Sequence, residues 1–383
     1  MIDMKRLTLL TTLLLIALSM SSQEREAYAV YDYDAVNFQA NVLTLYYDTQ
    51  RATRSGQAKY DIGDGTSEPG WYDTENVTNV EVVNIDPSFR DARLKGGYNL
   101  FAGMQSLQKI VGMKYLDTSE MTTMEDMFGG CWELKELDLS HFDTRNVRNM
   151  AWMFGWATEL ENLDLRSFDT RQVTNMSHMF YECMDMKTVD LSSFNTSNVA
   201  DFSHMFDIPQ HTYLTTIYAS EEFVTTSAST YGKEDMFVAC TSLVGGSGSH
   251  FDATCTSADY ARIDGGLSNP GYLTYKAPQL WVNGTQVTRD IKSDILGDGK
   301  VKYNVGAKTL TLTNATITGN GDNILSEVPG LTIRFEGTGN TLSSSSANIH
   351  SRRSDITLTG SGKVSMESNA ECMSVTGDYT RID

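Results

Sequence analysis

The sequence has little of several residue types on which catalysis, metal binding and nucleic-acid recognition depend. Its 383 residues include 6 histidines, 5 cysteines and 6 prolines. Basic residues are also few: 30 lysines and arginines against 49 aspartates and glutamates give a net charge of −19. Because nucleic-acid phosphates are bound by clusters of basic side chains, this charge balance argues against a nucleic-acid-binding protein.

The common signatures of catalytic sites are also missing. No HExxH, GxSxG or P-loop pattern occurs in the chain. His178 and His204 share one repeat position, but the same position holds Trp152 and Asp126 in other repeats, and a zinc site needs at least a third protein ligand. We therefore predict no enzymatic activity, no cofactor and no metal site.

Long apolar runs are missing except near the N-terminus. Lys5 and Arg6 precede an apolar run from Leu7 to Leu18, and small polar residues follow it. This order is typical of a secretory signal peptide, and the run is too short to span a membrane. A buried N-terminal helix is the alternative. The first cysteine is Cys131, which argues against a lipoprotein anchor at this end. We predict a signal peptide at 1–22 and an exported protein without a transmembrane span.

The sequence does contain a repeat of 26 residues. Phe128, Phe154, Phe180 and Phe206 recur at this spacing, and each follows a methionine. The triplets Leu137-Asp138-Leu139, Leu163-Asp164-Leu165 and Val189-Asp190-Leu191 keep the same register. A fixed period of this length predicts a solenoid, in which each coil buries its apolar side chains only by stacking on its neighbours.

One repeat also predicts its own secondary structure. Leu134, Leu137 and Leu139 follow the L-x-x-L-x-L opening of a leucine-rich repeat, a short strand whose leucines point inward. The pair Asp143-Thr144 suits the start of a helical turn. Apolar residues then recur at helical spacing, at Val147, Met150, Met153 and Phe154. We interpret this stripe as core, and we predict an α+β solenoid of leucine-rich-repeat type.

The regions around the repeats divide the chain further. Residues 23–106 are predicted to form a strand-rich N-terminal cap, and residues 107–275 the solenoid with its C-terminal cap. Residues 276–383 contain short alternating strands broken by glycine and asparagine, with Leu312, Ile333 and Leu358 spaced 21 and 25 residues apart. This spacing predicts an all-β domain, a parallel β-helix, with a small β-sandwich as the alternative. The last strand is followed by no capping signal, so we expect this domain to be incomplete.

The repeat register also bears on the cysteines. Cys131 and Cys183 occupy equivalent positions two coils apart. Stacked coils at strand spacing would hold them ~10 Å apart, whereas a disulfide tolerates Cα separations only up to ~7 Å. We predict that both are free, buried thiols. The sequence leaves a Cys240–Cys255 disulfide open.

The candidate binding residues are three aspartates at one repeat position, Asp138, Asp164 and Asp190. In a stack they would form a file of carboxylates about one strand spacing apart, ~4.8 Å, on the exposed face of the strands. Since like charges on neighbouring strands repel, either local hydroxyls such as those of Ser140 and Ser192 or a bound cation or basic ligand should offset the repulsion. We refer to these three residues as the acidic file.

The chain contains the repeat phrases "LDLSHFDTRNVRNMAWMF" and "LDLRSFDTRQVTNMSHMF", a cysteine after "MF" and the closing "YARIDGGLSNPGYLT". In these features it resembles the BspA-like leucine-rich-repeat surface proteins of bacteria. The resemblance covers Tyr28 to Thr274. It implies an exported or cell-surface adhesin that binds host extracellular-matrix or plasma proteins. Residues from "LWVNGTQVT" onward are similar to β-helical domains named as carbohydrate-binding, so a glycan-binding protein is the alternative. A third reading is a structural spacer that displays a further domain.

Overall fold

The protein, described here from a computed structural model, is built almost entirely of short β-strands and turns. The structure describes residues 24–208, 213–328, 330–352, 356–370 and 372–376. The predicted signal peptide at 1–22 lies outside these residues. None of the described segments forms a helix with the length and hydrophobicity needed to traverse a lipid bilayer.

The N-terminal part is a five-stranded sheet that begins the stack. Its first two strands form a hairpin, the third adds antiparallel to the first, and the fourth and fifth add in parallel, in the order β3-β1-β2-β4-β5. The strands are β1 (Glu26–Asp34), β2 (Ala40–Asp48), β3 (Ala58–Asp61), β4 (Val82–Ile85) and β5 (Lys109–Val111).

The repeats continue the stack with very short parallel strands. Leu137 pairs with Leu163 in a two-stranded sheet, and the next sheet has the order β10-β9-β8. These strands are β6 (Glu136–Leu137), β7 (Asn162–Leu163), β8 (Thr188–Leu191), β9 (Thr216–Ala219) and β10 (Leu273–Tyr275).

The C-terminal part is a second stack with three sheets around one core. The sheets have the orders β12-β11-β16-β19-β22, β13-β14-β17-β20 and β15-β18-β21. Equivalent strands of successive coils pair in parallel, whereas β11 pairs antiparallel with β12 and β16, and β13 pairs antiparallel with β14. The strands are β11 (Leu280–Val282), β12 (Thr285–Gln286), β13 (Val301–Asn304), β14 (Thr309–Thr313), β15 (Thr316–Gly319), β16 (Ile324–Ser326), β17 (Leu331–Glu336), β18 (Asn340–Ser344), β19 (Ile349–Arg352), β20 (Ile356–Thr359), β21 (Val364–Ser368) and β22 (Met373–Thr376).

The predicted α+β solenoid of leucine-rich-repeat type is wrong. The described residues contain no α-helix, and the chain is a β-solenoid with a few 3₁₀ turns. These turns are Val77–Asn79, Pro87–Asp91, Met113–Tyr115, Tyr231–Lys233, Ala258–Tyr260 and Gly266–Ser268.

Hydrogen bonding between coils explains why the apolar stripe is not a helix. In an α-helix each N–H bonds the carbonyl four residues earlier. Here the N–H groups of Met150 and Phe154 donate to the carbonyls of Asn175 and Met179, one coil later, at 3.0 Å. Left-handed residues also interrupt each repeat, at Asp126 (φ 54°), Trp152 (φ 60°), His178 (φ 57°) and His204 (φ 55°). The spacing still buries the stripe, because three-residue turns return the apolar side chains to the same side.

Stacked rings and buried threonines hold the coils in register. The repeat phenylalanines form one continuous column in which Phe128, Phe154 and Phe180 stack at 5.8 and 5.7 Å between ring centroids. Thr144 is buried, and its hydroxyl donates to the carbonyl of Asp169 and accepts from the Asp169 N–H at 3.0 and 2.7 Å. Thr144 therefore joins two coils instead of capping a helix.

The buried apolar side chains form two main clusters, which divide along the chain between Leu273 and Leu280. One cluster runs from Ala29 to Leu273 through the cap and the repeats, and the other from Leu280 to Ile356. Cys131 and Cys183 lie in the first cluster, and all five cysteines are free, including Cys240 and Cys255. The Sγ atoms of Cys131 and Cys183 lie 3.2 and 3.1 Å from carbonyls of preceding coils.

Candidate functional site

Two members of the acidic file lie just after the ends of repeat strands, and the third lies within a strand. Asp138 and Asp164 directly follow β6 and β7 and are exposed, whereas Asp190 lies inside β8 and is half-buried. The parallel pairing of Leu137 with Leu163 places the first two aspartates at equivalent points of neighbouring coils. The structure thus brings the sequence-predicted residues to one side of the stack.

Groups of the same chain already contact each member of the file. The Ser140 N–H donates to Asp138 at 3.0 Å, and the Ser192 N–H donates to Asp190 at 3.0 Å. Partial burial alone would raise the pKa of Asp138, but hydrogen bonds from Ser140 outweigh it and hold the pKa below its usual value.

Two members of the file also have basic partners. Arg166 forms an ion pair with Asp164 two residues earlier. The ammonium group of Lys276, from the junction with the C-terminal stack, pairs with Asp190. Sequence reasoning missed Lys276, because nothing in the repeat pattern indicates which distant residue will reach a given coil.

A cavity of about 60 Å³ lies beside this file, between the repeats and the C-terminal stack. Charged and polar side chains of both parts line it, with Arg166, Asp169 and Asn195 from the repeats and Tyr303, Lys308 and Glu327 from the C-terminal stack. A second ion pair, between Lys292 and Glu221, also joins the two parts. The C-terminal stack therefore covers part of the strand surface next to Asp190.

A second surface feature consists of aromatic and imidazole rings at the turns of the repeats. Trp152 stacks on Trp156 at 4.9 Å and on His178 at 3.9 Å, and His178 stacks on His204 at 4.8 Å between ring centroids. Tyr181 contacts both indoles, at 5.2 and 5.3 Å. We call these five residues the aromatic ledge.

The left-handed turns place the rings of the ledge in files. Trp152, His178 and His204 occupy one repeat position, and Trp156 lies four residues after Trp152 with φ 58°. The equivalent of Trp156 one coil earlier is Gly130, also left-handed with φ 71°. The repeat register of the sequence identified Trp152, His178 and His204 as neighbours. That Trp156 and Tyr181 also pack against these rings is seen only in the structure.

Partial burial shifts the pKa of several titratable groups at the ledge. Burial, followed by the nearby His204, lowers the pKa of His178 to about 4. Burial and the neighbouring Asp207 raise the pKa of Glu182, and burial with Glu125 raises the pKa of Asp126 to about 7. His204 pairs with an acidic residue, Asp207, at 2.9 Å.

The stacked histidines, His178 and His204, would need a third ligand to hold a metal ion. Within the described ranges, no group of three or more histidine, cysteine, aspartate or glutamate side chains is arranged to hold a metal ion. The Nδ1 atom of His204 is already paired with Asp207. The pair is better described as part of the ledge than as a coordination site.

The comparisons with known proteins concern mainly the repeats. No curated protein and no solved structure matches the chain. Residues 97–215 match the family model described as "Mycoplasma protein of unknown function, DUF285". This match covers the repeats that carry the resemblance to BspA-like surface proteins, and its description assigns no activity.

Proposed function

We propose that this chain is a non-catalytic protein of the extracellular space or bacterial cell surface that binds other macromolecules through the exposed side of its repeat solenoid. The observation that carries the proposal is the register of the coils. Side chains at equivalent positions, such as Asp138 and Asp164, are exposed over a core in which Phe128, Phe154 and Phe180 are completely buried. Solenoids commonly use such rigid, extended surfaces for binding.

The charge of the exposed residues indicates the kind of partner. The chain carries a net charge of −19, and the acidic file is on the strand side of the repeats. A basic region of an extracellular-matrix or plasma protein would be attracted to this side, chiefly through a faster and salt-dependent association. Because Lys276 covers Asp190, we place the contact at the end of the file formed by Asp138 and Asp164.

The experiment compares the mature protein with the variant Asp138→Asn/Asp164→Asn/Asp190→Asn on a panel of purified matrix and plasma proteins. Binding by the wild type that weakens in the variant and becomes less sensitive to salt supports the proposal. No binding to any protein of the panel, together with retention on a glycan array, would instead support the alternative of a glycan-binding protein. Equal binding by both proteins would exclude the acidic file as the contact.

A further inference from the structure

We propose that the aromatic ledge is a second binding site, which receives a lysine or arginine side chain from a basic segment of a partner protein. This inference rests on the proposed function, since it names the chemical class of the partner and adds a contact outside the acidic file. Neither the family match nor the sequence resemblance places a binding residue at these turns.

The rings supply the first component of the site. Trp156 is 42% exposed although its indole packs on Trp152. Tyr181 meets it nearly at a right angle, with ring planes 79° apart. A cation over an exposed indole is attracted by the negative face of the ring, most strongly for tryptophan. Two indoles held on left-handed turns form a rigid surface, which loses little conformational entropy on binding.

Carboxylates next to the rings supply the second component. Glu182 directly follows Tyr181, and its Oε2 atom is buried without a hydrogen-bond partner among the described residues. Its backbone N–H donates to the carbonyl of Asp207 at 3.0 Å, so that the two acidic residues lie on adjacent coils. Burial raises the pKa of both carboxyl groups. The charge of Asp207 adds to this effect at Glu182, whereas at Asp207 the hydrogen bond with His204 acts in the opposite direction. A cation bound here would relieve this repulsion.

The basic side chains of the turns that carry the ledge are two histidines, His178 and His204. Segments 124–133, 150–159, 176–185 and 201–208 contain eight acidic residues and no lysine or arginine. Of these eight, Glu159 has an ion pair with Lys135, outside the segments, at 3.3 Å, and Asp207 pairs with His204 at 2.9 Å. Acidic residues beside exposed tryptophan are complementary to a basic side chain both in charge and in the cation–π interaction.

The acidic surroundings favour a cation over a neutral sugar. A glycan could stack on Trp156, but it would bring no positive charge to Glu182 and Asp207. A metal ion is disfavoured because the described residues offer no set of three ligands. A glycan is therefore treated as an outcome of the experiment, and a basic protein segment as the proposed occupant.

The experiment measures binding of a fluorescent peptide with six lysines separated by glycines to the full chain by anisotropy, at low and at physiological salt. Its matched control is the same peptide with every lysine acetylated. The test variant is Trp156→Gly, which installs the residue found at the equivalent position Gly130, so the left-handed backbone is kept without strain. A second variant, Glu182→Gln, removes the charge and keeps the size.

Trp132→Thr serves as the matched control variant. Trp132 is 46% exposed, makes no ring contact with the ledge, and is replaced by the residue at its own repeat equivalent, Thr158. We expect Trp156→Gly to weaken binding of the lysine peptide about 3- to 30-fold, the range of one cation–π contact. Glu182→Gln should weaken it and flatten its salt dependence, while Trp132→Thr should bind like the wild type.

Three results would overturn the inference: no binding of the lysine peptide, equal binding of the acetylated peptide, or wild-type binding by Trp156→Gly. Loss of peptide binding in the triple Asn variant of the acidic file, with Trp156→Gly unaffected, would also reject the ledge while supporting the strand side. The proposed function is tested separately, by binding of the wild type to the panel of matrix and plasma proteins. Thermal unfolding of each variant confirms that it is folded.

Discussion

The ammonium group of Lys276 pairs with the carboxylate of Asp190, a residue 86 positions earlier in the chain. This contact ties the junction of the two stacks to the last member of the acidic file. It makes the file partly an internal structural feature and leaves Asp138 and Asp164 as its exposed end.

The triple variant Asp138→Asn/Asp164→Asn/Asp190→Asn should therefore lower the free energy of unfolding, by about 1 kcal/mol, because it removes the ion pairs with Arg166 and Lys276. If the three carboxylates only repelled one another, the variant would instead raise the free energy of unfolding by up to about 1 kcal/mol. Urea unfolding of the variant and the wild type distinguishes the two signs. A double-mutant cycle of Asp190→Asn with Lys276→Met isolates the second pair.

Limited proteolysis should cut the chain near Lys276 to Gln279, the predicted boundary, and leave a repeat fragment that unfolds cooperatively. The variant Lys276→Met/Lys292→Met removes the ion pairs with Asp190 and Glu221 and should speed this cut by a protease that does not require lysine. Fragment masses and calorimetry of the products test the boundary. If the two stacks cannot be separated without unfolding both, the boundary at 276 is misplaced.

The thiols of Cys131 and Cys183 should be labelled by an alkylating agent only after unfolding. Both residues are completely buried, and burial raises the pKa of each thiol, which suppresses the reactive thiolate. Mass spectrometry of the non-reduced protein, with and without denaturant, gives the count of labelled sites. The exposed Cys372 should react in the native protein and serves as the internal control. A bridge between residues 131 and 183 would contradict the stacking of the coils.

Asp264 should be a main source of acid sensitivity at the end of the repeats. Burial alone would raise its pKa, but donors from Ser247, Ser249 and Gly266 outweigh this and lower it to about 2. The folded pKa lies below the ordinary value of 3.8, so the carboxylate stabilises the fold above that value, and this stabilisation is lost as the pH falls toward 2.

The variant Asp264→Asn should therefore cost about 1–3 kcal/mol at neutral pH, the typical loss for a broken buried hydrogen-bond network. Its stability should depend less on pH below 4 than that of the wild type. Denaturation curves at several pH values measure both effects, and a variant as stable as the wild type would show that these donors find other partners.

His178 should destabilise the fold as the pH falls from 6.5 to about 4. Its folded pKa of about 4 lies below the ordinary 6.5, so the unfolded chain binds a proton in this range that the folded chain does not. The variant His178→Asn tolerates the left-handed backbone, as Asn99 does with φ 53°, and should reduce this pH dependence. NMR titration of the His178 ring gives its pKa directly; an ordinary value would show that the ring is more hydrated than its packing indicates.

The sequence by itself determined the register of the repeats. Phe128, Phe154 and Phe180 recur every 26 residues and form one buried column, since a local apolar pattern repeated at a fixed period has to be buried by stacking. The same pattern placed Asp138 and Asp164 at equivalent positions. It also separated Cys131 from Cys183 by two coils.

Only the tertiary structure decided the secondary structure of the repeat and the surroundings of its surface residues. The spacing of Met150, Met153 and Phe154 fits a helix equally well, and it is the hydrogen bonds to the next coil and the left-handed Trp152 that exclude one. The pairing of Lys276 with Asp190 and the contact of Trp156 with Tyr181 likewise join residues distant in the chain. Such contacts depend on how complete coils pack, because no local pattern specifies which distant side chain will lie next to a given residue.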